Sequence, residues 1–133
     1  ELLARSDFIS IHAAYTPQSH HVFSDTTFRK MKSHAFLINT ARGPFIDEQA
    51  LIRALRSNHI AGAGLDVFET EPIEQNNPLL EFDNVILTPH IAGSSPGGWE
   101  RIRRSAARDV ARFLRGETPH SLVNPEVLTF NQP

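Results

Sequence analysis

Short runs of almost wholly apolar residues alternate along this chain with amphipathic stretches, and that alternation restricts the fold more than any other feature. Phe8-Ile9-Ser10-Ile11, Phe36-Leu37-Ile38, Ala63-Gly64-Leu65-Asp66-Val67-Phe68 and Val85-Ile86-Leu87 have the length and the branched or aromatic content of strands. A sheet with one wet face alternates apolar and polar residues, whereas runs that stay apolar belong to strands buried on both faces. Pro17 to Ser24 reads as loop, and Asp25 to Met31 as a short helix with Asp25 as its N-cap. Asp47 caps a helix through Ser57, in which Ala50, Leu51, Ala54 and Leu55 share one face. Strands with helices set between them predict an α/β fold around a parallel sheet.

Pro89 stops the fourth run. Ser95 then caps, and Pro96 starts, a long helix with Trp99, Ile102, Ala106, Val110, Phe113 and Leu114 as an apolar stripe. Trp99 is the expected core anchor of that helix, and Gly116 suits its stop. Arg101, Arg104, Arg108 and Arg115 occupy another face, but Glu100, Asp109 and Glu117 interrupt them, as on a solvated surface. Thr118 to Pro133 is expected to run as an extended tail.

Composition removes several classes of function. The 133 residues include no Cys, which excludes a disulfide scaffold, a thiol nucleophile and a Cys-based zinc site. Thirteen Lys+Arg against fifteen Asp+Glu give a net charge of −2, so no basic field draws the chain to nucleic acid or to an anionic membrane. No apolar run approaches the length of a bilayer span. With no secretory leader at Glu1, the cytoplasm is the expected location.

Ligands of a parallel sheet gather beyond the carboxyl ends of its strands. There the sequence sets His12, then Asn39-Thr40-Ala41-Arg42-Gly43, then Asp66 and Glu71-Pro72, then Thr88-Pro89-His90-Ile91-Ala92-Gly93. An Arg fork matches a carboxylate in bidentate fashion and polarises a neighbouring carbonyl. A His takes or returns a proton near neutrality, and a carboxylate beside it favours the imidazolium. Singly these are an ion-pairing Arg, a solvated Glu and a loop His. At successive strand ends they point together to an acid–base site. The adjacent His20 and His21 are expected to diverge on a loop surface rather than to bind metal.

Met31-Lys32 followed by Phe36 through Asp47, Gly64 through Pro72, Asn84 through Gly93, and the loop from His12 to Pro17 resemble, in order, the motifs of the D-isomer-specific 2-hydroxyacid dehydrogenases. The likeness runs from about Leu2 to Leu128; His34 and the bulky Pro44-Phe45 depart from it. It implies the second half of a Rossmann-like doubly wound parallel sheet, with a long C-terminal helix and a tail returning toward a substrate domain. Residues 1–94 would form the nicotinamide-binding half, 95–116 the connecting helix, and 117–133 the tail. The implied reaction is hydride transfer between NAD, with NADP left open, and a small 2-oxo or 2-hydroxy acid, as in phosphoglycerate dehydrogenases or glyoxylate/hydroxypyruvate reductases, in a homodimer without metal. By resemblance, Arg42 holds the substrate, His90 exchanges the proton and Glu71 orients His90. Ala13, Thr40, Ala41, Arg42, Asp66, His90, Ala92 and Gly93 line the nicotinamide end, with Asp66 on its carboxamide. The Gly-x-Gly-x-x-Gly phosphate cradle has no counterpart among the seven glycines, and Gly62-x-Gly64 is expected to precede its strand rather than follow one. Two other readings fit the same residues: a dinucleotide-sensing corepressor, and an inert fragment that pairs with itself.

Overall fold

The computed structural model describes residues 1–129, which form two compact units, residues 1–92 and 93–129. In the first, helix α1 (Leu2–Arg5) leads to β1 (Phe8–Ile11), α2 (Asp25–Phe28), β2 (Phe36–Asn39), α3 (Glu48–Arg56), β3 (Gly62–Leu65) and β4 (Val85–Leu87). The four strands form one parallel sheet in the order β1-β2-β3-β4. Register sets Ile9, Leu37, Ala63 and Val85 in one row, and Ile11, Asn39, Leu65 and Leu87 in another on the same face. That face carries the core, where Phe28, Leu37, Leu51, Ile60 and Leu79 are each at most 1% exposed. Burying each such side chain is worth about 1.5–3 kcal/mol.

The expectation of strands buried on both faces is corrected here. Phe8 and Ile86, 70% and 73% exposed, stand on the opposite face, where Phe8 stacks on Phe36 with ring centroids 5.5 Å apart. The reason is topological. Parallel connections cross over right-handedly, so strands that succeed one another in a single direction send every crossover to one side of the sheet. The cap of α2 is also corrected. Ser24, not Asp25, is the N-cap, in a reciprocal box with Thr27, and the helix ends at Phe28. A 3-10 turn, Pro17–Ser19, lies within the expected loop. Asp47 does cap α3, accepting from the Ala50 N–H at 2.9 Å. β3 is shorter than the apolar run suggests and contains both Gly62 and Gly64. A side chain at Gly62 would meet the Asn84 carbonyl at 2.3 Å, so the position admits only glycine.

In the second unit, Ser95 caps α4 (Pro96–Leu114) by accepting from the Gly98 N–H, and Gly116 ends it at φ +75°. Trp99 is 47% exposed rather than a core anchor, with the Arg103 guanidinium 5.6 Å above its ring. The rest of the stripe is exposed as well, and α4 has no buried residue. The tail is not simply extended. The Asp109 carboxylate accepts from the His120 and Ser121 N–H groups, and Pro125–Thr129 forms a 3-10 helix. No described helix is long and apolar enough to cross a membrane.

Candidate active site

Each strand of the first unit hands over to a loop at its carboxyl end, and three of these loops are tied by polar side chains. Asn39, fully buried at the end of β2, donates from Nδ2 to the Arg42 carbonyl (2.8 Å) and accepts from the Ala41 N–H at Oδ1 (3.0 Å). This amide closes the turn that presents Arg42. Gly43 follows directly, and a Cβ there would lie 1.8 Å from the Phe68 carbonyl oxygen. The backbone after β2 thus rests against the backbone after β3.

Asp66, the first residue past β3, is 3% exposed. Its Oδ1 accepts from the Thr88 hydroxyl (2.5 Å) and the Ile91 N–H (2.8 Å), and its Oδ2 from the Ala92 N–H (2.9 Å). Its own carbonyl accepts from the His90 N–H at 2.8 Å. Burial works against the charged carboxylate, but the Thr88 hydroxyl and the Ala92 and Ile91 amides outweigh it and hold the carboxyl below its ordinary range. Asp66 therefore pins the whole Thr88–Ala92 turn, in which His90 takes a left-handed φ of +55°.

His90 Nδ1 meets Glu71 Oε2 at 2.7 Å, and Glu71 Oε1 accepts from the Phe68 N–H at 3.0 Å. The bond to His90 is the main cause holding the Glu71 carboxyl below its ordinary range; the Phe68 amide adds to it while partial burial opposes it. Both side chains remain open, 49% exposed for His90 and 36% for Glu71. They line a cavity of about 350 Å³ with Phe68, Pro72, Ile73 and Pro89. An imidazole oriented by a carboxylate through Nδ1 leaves Nε2 to face a reacting atom.

Arg42 is placed elsewhere. It lines a cavity of about 570 Å³ with His12, Ala13, Ala14, Tyr15, Thr40, Ala41 and Pro44, and its Nη1 donates to the Ala41 carbonyl at 2.6 Å. Of the expected residues, Ala13, Thr40, Ala41 and Arg42 share this cavity. Glu71 and His90 share the other, Asp66 and Ala92 join behind it through their hydrogen bond, and Gly93 opens the second unit. Tyr15 and Asn39 lie within the segments that carry the resemblance, but the sequence gives neither a role of its own; a polar residue closing an apolar strand is the available signal for Asn39. The two histidines also differ from expectation. Their rings stack at 3.7 Å instead of diverging, because the Tyr15 hydroxyl holds His20 and the Glu69 carboxylate holds His21. Among the described residues, no cluster of His, Cys, Asp or Glu could hold a metal ion.

Residues 1–92 match the family described as "D-isomer specific 2-hydroxyacid dehydrogenase, NAD binding domain". The chain belongs to this family. A glyoxylate reductase of Thermofilum pendens is 50% identical over 127 residues, which are 96% of this chain and 38% of that protein. Among solved dehydrogenases of the family, the NAD-complexed form from Lactobacillus delbrueckii ssp. bulgaricus superimposes with a TM-score of 0.81 at 30% identity, covering 92% of this chain and 41% of that one. The enzyme from Xanthobacter autotrophicus, solved with NADPH and MES, gives 0.81 at 37% identity, covering 94% of this chain and 51% of that one. The chain spans about 40% of the length of the curated family members it matches.

Proposed function

We propose that this chain carries the proton-transfer and carboxylate-binding residues of an NAD(P)-dependent oxidoreductase that interconverts small 2-oxo and 2-hydroxy acids, the glyoxylate reductase type being the nearest fit. The observation that carries it is the Glu71–His90 pair, 2.7 Å apart at the carboxyl edge of a parallel sheet. Family membership supplies the reaction class, and the named glyoxylate reductases supply the substrate class.

The residues suit the nicotinamide end of a dinucleotide. Ala13, Ala14 and Ala41 leave the backbone of the larger cavity open, and Thr40 and Arg42 add polar groups. Asp66 has two carboxylate oxygens and three accepted bonds, which leaves one lone-pair direction for the donor of a carboxamide. The seven glycines contain no pyrophosphate cradle, so the assignment is confined to the nicotinamide end. When bound, the dinucleotide supplies or accepts hydride.

The chain's own residues do the rest. Arg42 holds the substrate carboxylate with its fork and polarises the keto oxygen. His90 gives its proton to that oxygen during reduction and recovers it during oxidation. Glu71, anchored by the Phe68 amide, fixes the ring so that Nδ1 stays engaged and Nε2 faces the substrate. The enzyme would act in the cytoplasm as a homodimer, which light scattering checks.

The test is NADH oxidation against a panel of 2-oxo acids that includes glyoxylate and hydroxypyruvate. His90→Gln is expected to lower kcat by roughly 10²–10⁴-fold. Arg42→Lys is expected to raise the substrate KM and lower kcat together, because an ammonium cannot bridge two oxygens. Reduction by His90→Gln within a few-fold of wild type removes the proton-donor role.

A further inference from the structure

The loop after β1 and the segment after β3 are joined by four side chains that the reaction above does not use. His21 holds a left-handed φ of +51°, a conformation that a non-glycine residue keeps only where its surroundings over-determine it. Its N–H donates to the Pro44 carbonyl at 2.9 Å, its Nε2 pairs with the Glu69 carboxylate, and its ring stacks on His20. His20 Nδ1 lies 3.0 Å from the Tyr15 hydroxyl. The Tyr15 ring stands edge-on to the buried Phe45, with centroids 5.6 Å apart, and forms a wall of the Arg42 cavity. Glu69 is not part of that cavity; it lies beside Glu48, Gln49 and Thr70.

We propose that Tyr15 contacts the nicotinamide end of the dinucleotide, and that Glu69, acting through His21 and His20, positions it and so governs cofactor affinity from outside the cavity. This rests on the dehydrogenase assignment. A tyrosine held at its hydroxyl and along its ring edge needs little further ordering on binding. Whichever nitrogen of His20 carries the proton, one hydrogen-bonding direction of the hydroxyl is taken up within the protein, which sets the direction left for a ligand. Removing the Glu69 charge weakens the bond that holds the left-handed His21, and the stack then fixes Tyr15 less firmly.

The experiment measures NADH affinity by fluorescence titration and steady-state reductase kinetics on the full chain. Glu69→Gln and Tyr15→Phe are each expected to raise the Kd and KM for NADH roughly 3- to 10-fold, the worth of one hydrogen bond expressed as affinity. The kcat of Glu69→Gln, which lies outside the cavity, should stay within about 2-fold of wild type. The double variant should be no weaker than the weaker single one, since both cut the same connection. Unchanged NADH affinity in Glu69→Gln, or losses that multiply in the double variant, overturn the proposal. Should Glu69→Gln not fold, His20→Gln tests the same stack from its exposed end. Without any cofactor, the Tyr15 ring resonances should shift in Glu69→Gln. Unmoved resonances refute the relay whatever the chain's activity, whereas a reductase indifferent to His90 refutes the dehydrogenase assignment instead.

Discussion

Replacing Asp66 by Asn changes one oxygen to an amide nitrogen, and the site makes the consequence calculable. The wild-type carboxylate, 3% exposed, accepts from the Thr88 hydroxyl and from the Ile91 and Ala92 amides. In its better orientation, Asn keeps its oxygen toward Thr88 and Ile91 and turns its NH2 toward the Ala92 N–H, so two donors face each other. One charge-assisted bond is lost, worth about 1.5–3 kcal/mol, and the other two become ordinary ones. Burying a neutral group instead of an ion offsets part of this. A net loss of about 2 kcal/mol follows, or roughly 8–16 °C in Tm for a unit of this size. Urea denaturation at neutral pH, followed by far-UV circular dichroism, measures it. The pH dependence has a definite sign. Asp66 has its carboxyl lowered from the ordinary 3.8 in the folded chain. Its contribution is therefore complete above that value and is lost as pH falls through the lower folded one. The gap between wild type and variant should hold constant from pH 6 to 8 and close only in strong acid. A loss below about 0.5 kcal/mol at neutral pH would mean that Asp66 does not pin the Thr88–Ala92 turn.

Other perturbations read out neighbouring parts of the molecule. Gly43→Ala puts a methyl 1.8 Å from a backbone oxygen that no rotamer change can move, so a loss of about 3 kcal/mol or more is expected in the same denaturation assay, with Gly64→Ala, whose methyl would meet only the Ile38 side chain at 3.9 Å, as the mild control. Asp47→Ala removes the cap of α3 and should cost about 1 kcal/mol, whereas Asp25→Ala, just inside α2, should cost less at the cap because Ser24 does that work. Glu71→Gln keeps an acceptor for the Phe68 amide but loses the charge facing His90, so reductase kcat should fall roughly 10- to 100-fold with a smaller change in substrate KM. Since the Glu71 carboxyl is lowered from 4.5 in the folded chain, the wild-type advantage should persist down to that pH and fade only below it.

What the sequence alone determined was local or periodic. β1, β2 and β4 end within a residue of the apolar runs that announce them, and Asp47, Ser95 and Gly116 stand at the helix ends their chemistry favours. Ordered motifs were enough to name the family, since a motif carries its residues in fixed succession wherever the chain folds. Tertiary structure decided what depends on groups far apart in the chain. The open sheet face follows from crossovers that all turn one way, which no strand records in its own composition. Trp99 looks like core by periodicity, yet periodicity states only that a face is apolar and not that anything covers it. The stacked histidines owe their arrangement to Tyr15 and Glu69, the latter 48 residues from His21. Asp66 reads in the sequence as a ligand contact; in the fold its carboxylate gathers donors 22 to 26 residues away and sets the turn that holds His90. A carboxylate's partners depend on which backbone amides the fold brings beside it, and only the folded chain brings them there.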